Sequence, residues 1–430
     1  MTDRGPPSVM KQSDTAARRR KRRYAAERRF KLYGILSICI ALAALCLLIG
    51  NITAKGWSAF LQTHIVLEVE LPRGELAPDG KIDSASLRDA NYTIYLRRAL
   101  RAHFPNVRSR HDRRSLHRFL SNGATFDLQK LVLSDTGLIG RTVRFAAVAS
   151  DDLDQFVKGH ISAGDGGKIS AKQEAWIQSL TEAGIIERRF NIGLFSNGDS
   201  REPELAGIWG AVVGSLLTMF VTVLLSFPLG VAAAVYLEEF APKNRWADLI
   251  EVNINNLAAV PSIIYGLLGL AVFLSFFGMP RSAPLVGGIV LALMTLPTII
   301  IAGRAALGSV PPSIREAAIG MGASPMQVVL HHVLPLAFPG ILTGTIIGAA
   351  RALGETAPLL MIGMVAFIVD IPQGITDPAT VLPVQIFLWA DSSERAFVER
   401  TAAATLVLLT FLILMNLMAV VLRKKFERRW

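Results

Sequence analysis

Long apolar runs punctuate the chain at Leu32–Ala54, Gly207–Leu237, Leu249–Phe277, Pro284–Leu307, Gly340–Ile368 and Thr401–Leu422. Each approaches or exceeds the ~20 residues that carry a helix across the hydrocarbon core, so the pattern predicts about six transmembrane helices. The first run is too long for the core of a cleavable signal, and no A-x-A site closes it. A retained span over 32–54 is therefore expected. Residues 55–206 turn polar and mixed in charge. Within them, His64–Pro72 alternates like a strand, and Leu131–Gly137 and Arg141–Ser150 read as further strands. Ser84–Phe104 and Ala171–Gly184 show helical spacing instead. About 150 residues suffice for one small domain with its own core. The expected architecture is an all-α polytopic membrane protein carrying a small α/β insert between its first and second spans. Its segments are a basic tail (1–31), the first span (32–54), the insert (55–206) and a five-helix core (207–430).

Composition sharpens this picture. The chain is 51% hydrophobic with a mean hydropathy of +0.41, above the range of soluble domains. Its net charge of +11 could suggest nucleic acid, but the basic residues concentrate elsewhere. RRRKRR (Arg18–Arg23) precedes the first apolar run and RKKFERR (Arg423–Arg429) follows the last. Such blocks are topology signals and headgroup anchors, and no aromatic-rich basic face accompanies them. Both termini are thus expected on the cytoplasmic side of an inner membrane. Glu238–Asp248 and the Arg315 loop then face inward, while Gly278–Ala283, the insert and Pro372–Glu399 face outward. Cys39 and Cys46 share one face of the first span and are expected as packing residues, neither bridge nor metal site.

Two features of the core carry candidate chemistry. Gly340, Gly344 and Gly348 form a seam of small residues that lets another helix approach closely in lipid. Just beyond, in TIIGAARALGETAPLLMIG, lie Arg351 and Glu355. An isolated charge at the centre of a membrane helix costs at least ~2.5–3.5 kcal/mol, so the pair needs a reason. Counted from Gly340, Arg351 is ~16 Å along the helix, close to mid-membrane, with Glu355 one turn on. Pro358 offers no N–H to the Gly354 carbonyl and should loosen the helix beside the pair. From the residues alone, the pair is either an ion-pair lock between helices or a guanidinium facing a water-filled path for an anion. Arg304, near the cytoplasmic end of its run, is a second pathway candidate or a headgroup anchor.

The second feature is the link Ser309–Phe338, SVPPSIREAAIGMGASPMQVVLHHVLPLAF. Ser313 and Glu316 have the spacing of a capping box, as do Ser324 and Gln327, with Pro325 at the first helical position. Gly322 supplies a left-handed stop between the two helices, and Pro335 and Pro339 are expected to limit the second. The product is a compact helix–turn–helix knuckle. His331 and His332 point about 100° apart on a helix and make a poor metal pair.

REAAIGMGAS…VLP resembles the EAA loop with which membrane subunits of ABC importers dock on their ATPase. Glu316, Ala317, Ala318, Gly322, Leu334 and Pro335 fit that pattern, and His332 stands where isoleucine is usual. NNLAAVPSIIYGLLGL (Asn255–Leu270), GAARALGETAPLL (Gly348–Leu360) and LPVQIF (Leu382–Phe387) narrow the resemblance to the phosphate-specific permeases of the PstA type. It covers roughly 205–430, and the insert departs from the short-loop members as an N-terminally extended form. The resemblance implies a type I ABC-importer-like core with its coupling loop at 309–338. It implies a phosphate path using Arg351, Glu355 and Arg304. It also implies, as partners, two copies of an ATP-binding subunit, a homologous permease and an extracytoplasmic phosphate-binding protein. ATP would be used by the partner, and no cofactor is expected on this chain.

The residues agree that ATP chemistry belongs elsewhere. GDGGKIS (Gly164–Ser170) has neither the spacing nor the terminal Ser/Thr of a phosphate-binding P-loop and is expected as a turn. Neither H-E-x-x-H nor G-x-S-x-G occurs, so a membrane hydrolase is disfavoured. Two other functions compete: a permease for another oxyanion such as sulfate or molybdate, and a receptor sensing through 55–206. The second would need a cytoplasmic signalling domain that the short inward segments do not supply.

Overall fold

A computed structural model describes residues 9–76, 84–162, 164 and 169–426. The chain divides into two units, Met1–Ala54 and Lys55–Trp430. In the first, helix α1 (Val9–Gly56) joins the basic segment and the apolar run without a break. Its side chains from Arg19 to Asn51 are all exposed, as befits a helix whose solvent is lipid and headgroup. Cys39 and Cys46 are free and exposed.

The second unit begins with the insert. Strand β1 (Leu61–Glu70) is central, flanked by β2 (Thr142–Val148) and β3 (Ile186–Phe190) in an antiparallel sheet of order β2-β1-β3. His64 pairs with Val148 and Glu70 with Thr142, while Leu61 faces Phe190 on the other edge. The alternation of β1 is physical: Ile65, Leu67 and Val69 all point into the core and are fully buried. Helices α2 (Tyr92–Ala102), α3 (Arg110–His117), α4 (Gly123–Ser134), α5 (Asp151–Val157) and α6 (Ala171–Glu182) complete the insert. Tyr92, Leu96, Leu100, Leu116, Leu128 and Leu180 from these helices close the same core.

Two expectations in the insert are corrected, and one strand is added. Ser84–Phe104 is two helices, Ser84–Asp89 and Tyr92–Ala102, because the chain turns at Ala90–Asn91. Leu131–Gly137 is no strand: Leu131–Ser134 end α4, where buried Leu128 and Val132 lie four apart on one face, so helical burial overrides the local strand preference. The strand β3, IERRF, was hidden by its charges, which suit an edge. Most of the GDGGKIS turn lies outside the described residues; Gly164 within it has φ +83°.

Among the described residues, five helices are long and apolar enough to cross a membrane, or six if one bent pair counts as a span. Beyond α1 these are α7 (Trp209–Val235, finished by a π turn at Tyr236–Phe240), the pair α8 (Arg245–Ala258) and α9 (Ser262–Leu268, running on as a π-helix to Phe276), and α10 (Pro284–Gly308). After the knuckle helix α11 (Pro312–Gly320) come α12 (Leu334–Gly354), the short α13 (Ala357–Met361), α14 (Leu382–Ala390) and α15 (Ala396–Phe426). The glycine seam does what small residues do in lipid. A Cβ at Gly340 would lie 2.6 Å from the Ala306 Cβ, Gly344 abuts Ala302, and a Cβ at Gly348 would lie 3.7 Å from the Thr295 Cβ. Helices α10 and α12 are thereby locked face to face.

Two of the expected spans are redrawn. Leu249–Phe277 is broken between α8 and α9 by a bend of 102°. Pro261 ends the first helix, since it cannot donate a backbone bond and holds its own chain extended (φ −56°, ψ 136°). The Gly340–Ile368 span instead runs continuously from Pro325 to Gly354. Pro335 and Pro339 do not stop it. A π-helical stretch at Val328–Val333 widens the register just before Pro335, where an α-helical N–H would be missing.

The insert and the last span share a buried charge cluster. The Lys158 ammonium lies 2.7 Å from Asp154 Oδ2 and 2.8 Å from Glu399 Oε1, all three side chains at least 93% buried. Gln155 Nε2 donates to Glu399 Oε2 at 2.6 Å, and Arg400 donates to the Ala206 carbonyl at 2.6 Å.

Candidate functional site

Helix α12 ends at Gly354, and Glu355 already has extended backbone (φ −77°, ψ 127°). Arg351 and Glu355 are therefore not two turns of one helix. The arginine occupies the last helical turn, and the glutamate follows the stop. Pro358 falls in the first turn of α13, so the missing donor expected to loosen the helix coincides with a full break. The ion pair survives that change: Arg351 Nε lies 3.5 Å from Glu355 Oε1. The guanidinium side chain is 52% exposed, Glu355 only 21%. The unpaired carbonyls at a helix C-terminus carry partial negative charge, which favours a cation in the last turn. Two local effects thus make Arg351 tolerable.

Depth follows from register. Along the antiparallel seam, Gly340 meets Ala306, Gly344 meets Ala302 and Gly348 meets Thr295 and Ile299. Arg351, ~4.5 Å further along at 1.5 Å per residue, comes level with Ala292–Thr295. Those residues are near the middle of the 25-residue α10.

The break in α12 meets the break between α8 and α9. A Cβ at Gly266 in α9 would stand 2.7 Å from Pro358 Cα, and the Tyr265 hydroxyl donates across its own break to the Leu257 carbonyl at 2.8 Å. Irregular backbone at membrane depth persists only where protein or a water-filled cavity satisfies it. The chain after α13 obeys that rule: Ser282 Oγ donates to the Gly363 carbonyl at 2.6 Å, and Leu382 N donates to Ser215 Oγ at 2.8 Å. The proline of NNLAAVPSIIYG was the available signal for the first break.

Arg304 is elsewhere. Its Nε lies 3.2 Å from Glu238 Oε2 and its Nη1 3.0 Å from Glu251 Oε1, so two carboxylates already engage it at the opposite end of α10 from the seam's far residues. The structure does not bring it to Arg351.

The knuckle forms with one change. Ser324 accepts from Gln327 N, and Gln327 Oε1 accepts from Ser324 N at 2.8 Å, a complete capping box. Gly322 has φ +86°, the left-handed conformation the turn requires. Ser313 is not a cap: α11 starts at Pro312 with Pro311 as its capping position and no side-chain bond. Glu316 and Ala317 are exposed, Ala318 is buried, Leu334 half-buried and Pro335 exposed. Beside them Ile319, Met321, Met326 and Leu330 present an uncovered apolar surface, with Met321 78% exposed. Sequence reading missed Arg315, which forks onto Glu239 at 2.7 Å and 3.3 Å.

A polar cleft of about 720 Å³ is lined by Arg97, Arg114, His117, Arg118, Glu202 and Glu204 of the insert together with Glu394 just before α15. Burial first, then Arg97, Arg101 and Arg113, hold the His117 imidazole down to about 4. None of the cleft's residues belongs to the Arg351 junction.

Residues 226–430 match the binding-protein-dependent transport system inner membrane component, and 17–164 match a domain of unknown function, DUF3333. The phosphate transport system permease protein PstA 1 of Mycobacterium tuberculosis is 31% identical over 228 residues, 53% of this chain and 74% of that protein. The chain belongs to the PstA permease family. This permease is also 32% identical to the probable ABC transporter permease protein YqgH of Bacillus subtilis over 191 residues, spanning 43% of the chain and 61% of that relative's length. Among solved structures, an inward-facing MetNI methionine ABC transporter covers 52% of this permease with 95% of its own chain. That match has a TM-score of 0.40 and an identity of 19%. Arg304, the knuckle, Arg351 and Glu355 all fall inside the matched transport component.

Proposed function

We propose that this permease is the membrane-spanning subunit of an ATP-driven inorganic phosphate importer. It forms the path together with a homologous partner permease and is driven by two copies of a separate ATP-binding subunit. The observation that carries the reading is Arg351: a half-exposed guanidinium at mid-span, where the end of α12 meets the broken α8–α9 span. A guanidinium presents a planar fork matched to phosphate oxygens, and Glu355 offsets its charge between turnovers. The carboxylate also repels the anion, which keeps binding weak enough for release. Exposure of Arg351 on a single subunit fits a path completed by a second permease. Arg304, held by Glu238 and Glu251, is assigned to the cytoplasmic framework and not to the path.

Both termini and the knuckle lie in the cytoplasm on this reading, and the insert lies outside. The ATP-binding subunit docks on Glu316, Ala317, Ala318 and Gly322 with the exposed Met321 and Met326, while Leu334 and Pro335 pass its movement into α12. Phosphate arrives from an extracytoplasmic binding protein on the outer loops, the lipid bilayer is the solvent, and nucleic acid has no part. This chain holds no cofactor, and ATP is hydrolysed on the partner.

Arg351→Gln tests the assignment. It is expected to abolish radiolabelled phosphate uptake in proteoliposomes while co-purification with the ATP-binding subunit stays at the wild-type level. Normal uptake by correctly inserted R351Q protein would refute the role of Arg351. Competition of wild-type uptake by sulfate or molybdate at equal concentration would reassign the substrate.

A further inference from the structure

Arg315 joins three elements at the cytoplasmic end of the bundle. It projects from α11, the docking helix of the knuckle. Its Nη1 donates to the Val310 carbonyl at 2.7 Å and its Nη2 to the Leu307 carbonyl at 2.9 Å. Leu307 lies in the last turn of α10 and Val310 two residues past its end, and the Leu307 carbonyl also accepts from Val310 N at 3.2 Å, so the arginine reinforces the turn that closes α10. The same guanidinium forks onto Glu239, Nη2 to Oε1 at 2.7 Å and Nε to Oε2 at 3.3 Å. Glu239 belongs to the π turn that ends α7 and is only 10% exposed, against 24% for Arg315. Its neighbour Glu238 meets Arg304 on α10, and Arg304 reaches Glu251 on α8.

The covalent chain ties the knuckle to α10 on one side and α12 on the other. Nothing covalent ties it to α7 or α8. A movement delivered to the knuckle therefore reaches those two helices only through side chains, and Arg315–Glu239 is the one direct bridge from α11 among the described ion pairs. A two-pronged, partly buried guanidinium–carboxylate pair resists shear in a way that a single ammonium contact does not.

We propose that Arg315 is a positioning residue that makes the knuckle and the cytoplasmic end of α7 one rigid body, through Glu239, so that force on the docking helix tilts α7 with α10. Arg304 extends the joint to α8 through Glu238 and Glu251. This rests on the proposed coupling to an ATP-binding subunit. The bonds to Leu307 and Val310 have a separate task, holding the end of α10, and they survive substitution of Glu239.

The test uses the whole complex in proteoliposomes with Glu239→Gln, and with Glu239→Asp as the variant that keeps the charge should Gln fail to insert. Phosphate moved per ATP hydrolysed is expected to fall about tenfold in E239Q, within the ~5–150-fold span of ordinary coupling between sites. Co-purification with the ATP-binding subunit and its rate of ATP hydrolysis stay within about twofold of wild type on the same grounds. A second readout is independent of the substrate. Spin labels replacing the exposed Ser313 of α11 and Tyr236, in protein with Cys39 and Cys46 changed to serine, report the distance from knuckle to α7. That distance is expected to be the same with ATP and with ADP in wild type and to become nucleotide-dependent in E239Q. A nucleotide-dependent distance in wild type, an unchanged distance in E239Q, or wild-type phosphate per ATP in E239Q would each overturn the proposal. A complex that moves no phosphate but keeps the rigid distance would overturn the substrate reading and leave the joint intact.

Discussion

Lys158→Met should loosen the insert from the last span. The lysine is 5% exposed, with Asp154 and Glu399 at 2.7 Å and 2.8 Å from its ammonium. Methionine keeps much of the stem's volume and removes the ammonium that bridges the two carboxylates. Deleting one partner of a buried ion pair costs ~3–5 kcal/mol. Here the surviving donors set the lower end: Gln155 still reaches Glu399 at 2.6 Å, and the Thr63 amide still reaches Asp154 at 2.9 Å. A cost of ~3 kcal/mol is roughly a hundredfold in a local opening equilibrium. Hydrogen exchange by mass spectrometry in nanodiscs reads that opening directly. Peptides spanning 61–70 and 151–158 should exchange about a hundred times faster, and peptides of Pro284–Gly308 should be unchanged. Glu399→Gln added to the variant should cost less than it does alone, because the two changes remove the same cluster. If protection across 61–70 and 151–158 stays within about threefold of wild type, or is lost equally in α10, the cluster does not anchor the insert.

Three further outcomes follow from the same geometry. Gly344→Leu should lower the midpoint of thermal unfolding well beyond Gly348→Ala, because Gly344 abuts Ala302 whereas a Cβ at Gly348 has 3.7 Å to Thr295; overpacking costs ~1–3 kcal/mol, and equal midpoints would contradict the seam. Gly322→Val should weaken co-purification with the ATP-binding subunit while Gly322→Asn is nearly neutral, since the space around Gly322 is open and the cost is the left-handed backbone alone, ~1–2 kcal/mol. The insert should lose stability as pH falls from ~6.5 towards 4. The unfolded chain binds the His117 proton first there, because the folded imidazole is held down to about 4. After discounting for solvent screening the loss is about 1 kcal/mol. His117→Gln should flatten that slope in denaturant titrations at pH 7 and pH 4.5, and an unchanged slope counts against the cause given.

What the sequence displayed was whatever is local. The strand β1 announced itself by alternation, the second capping box by Ser324 and Gln327, the turn by Gly322, and the seam by glycines four apart. Each is a property of a few neighbouring residues. Its failures were also local in kind but wrong in weight. Pro335 and Pro339 are helix breakers by propensity, yet a π stretch absorbs the first. Pro261 is a breaker that was overlooked because apolar residues continued on both sides. Leu131–Ser134 has strand composition and helical burial. The charged joints could not be read at all: Arg304 with Glu238, Arg315 with Glu239 and Lys158 with Glu399 are separated by 66, 76 and 241 positions. Only the fold brings them together. Arg351 was legible as an anomaly of charge in an apolar run, but its exposure and the helix end beneath it were not.

The buried cluster also has a consequence for biogenesis. Its lysine and its glutamate are 241 residues apart, and ribosomes add ~5–20 residues per second. Lys158 is therefore in place for some ~10–50 s before Glu399 emerges to finish its footing. In that interval Lys158 has Asp154 as its only carboxylate from the cluster, and the polar foot stands open to water. Early truncation products should accordingly expose a hydrated, protease-sensitive α5, and the last span, on arrival, should act as the latch that closes it.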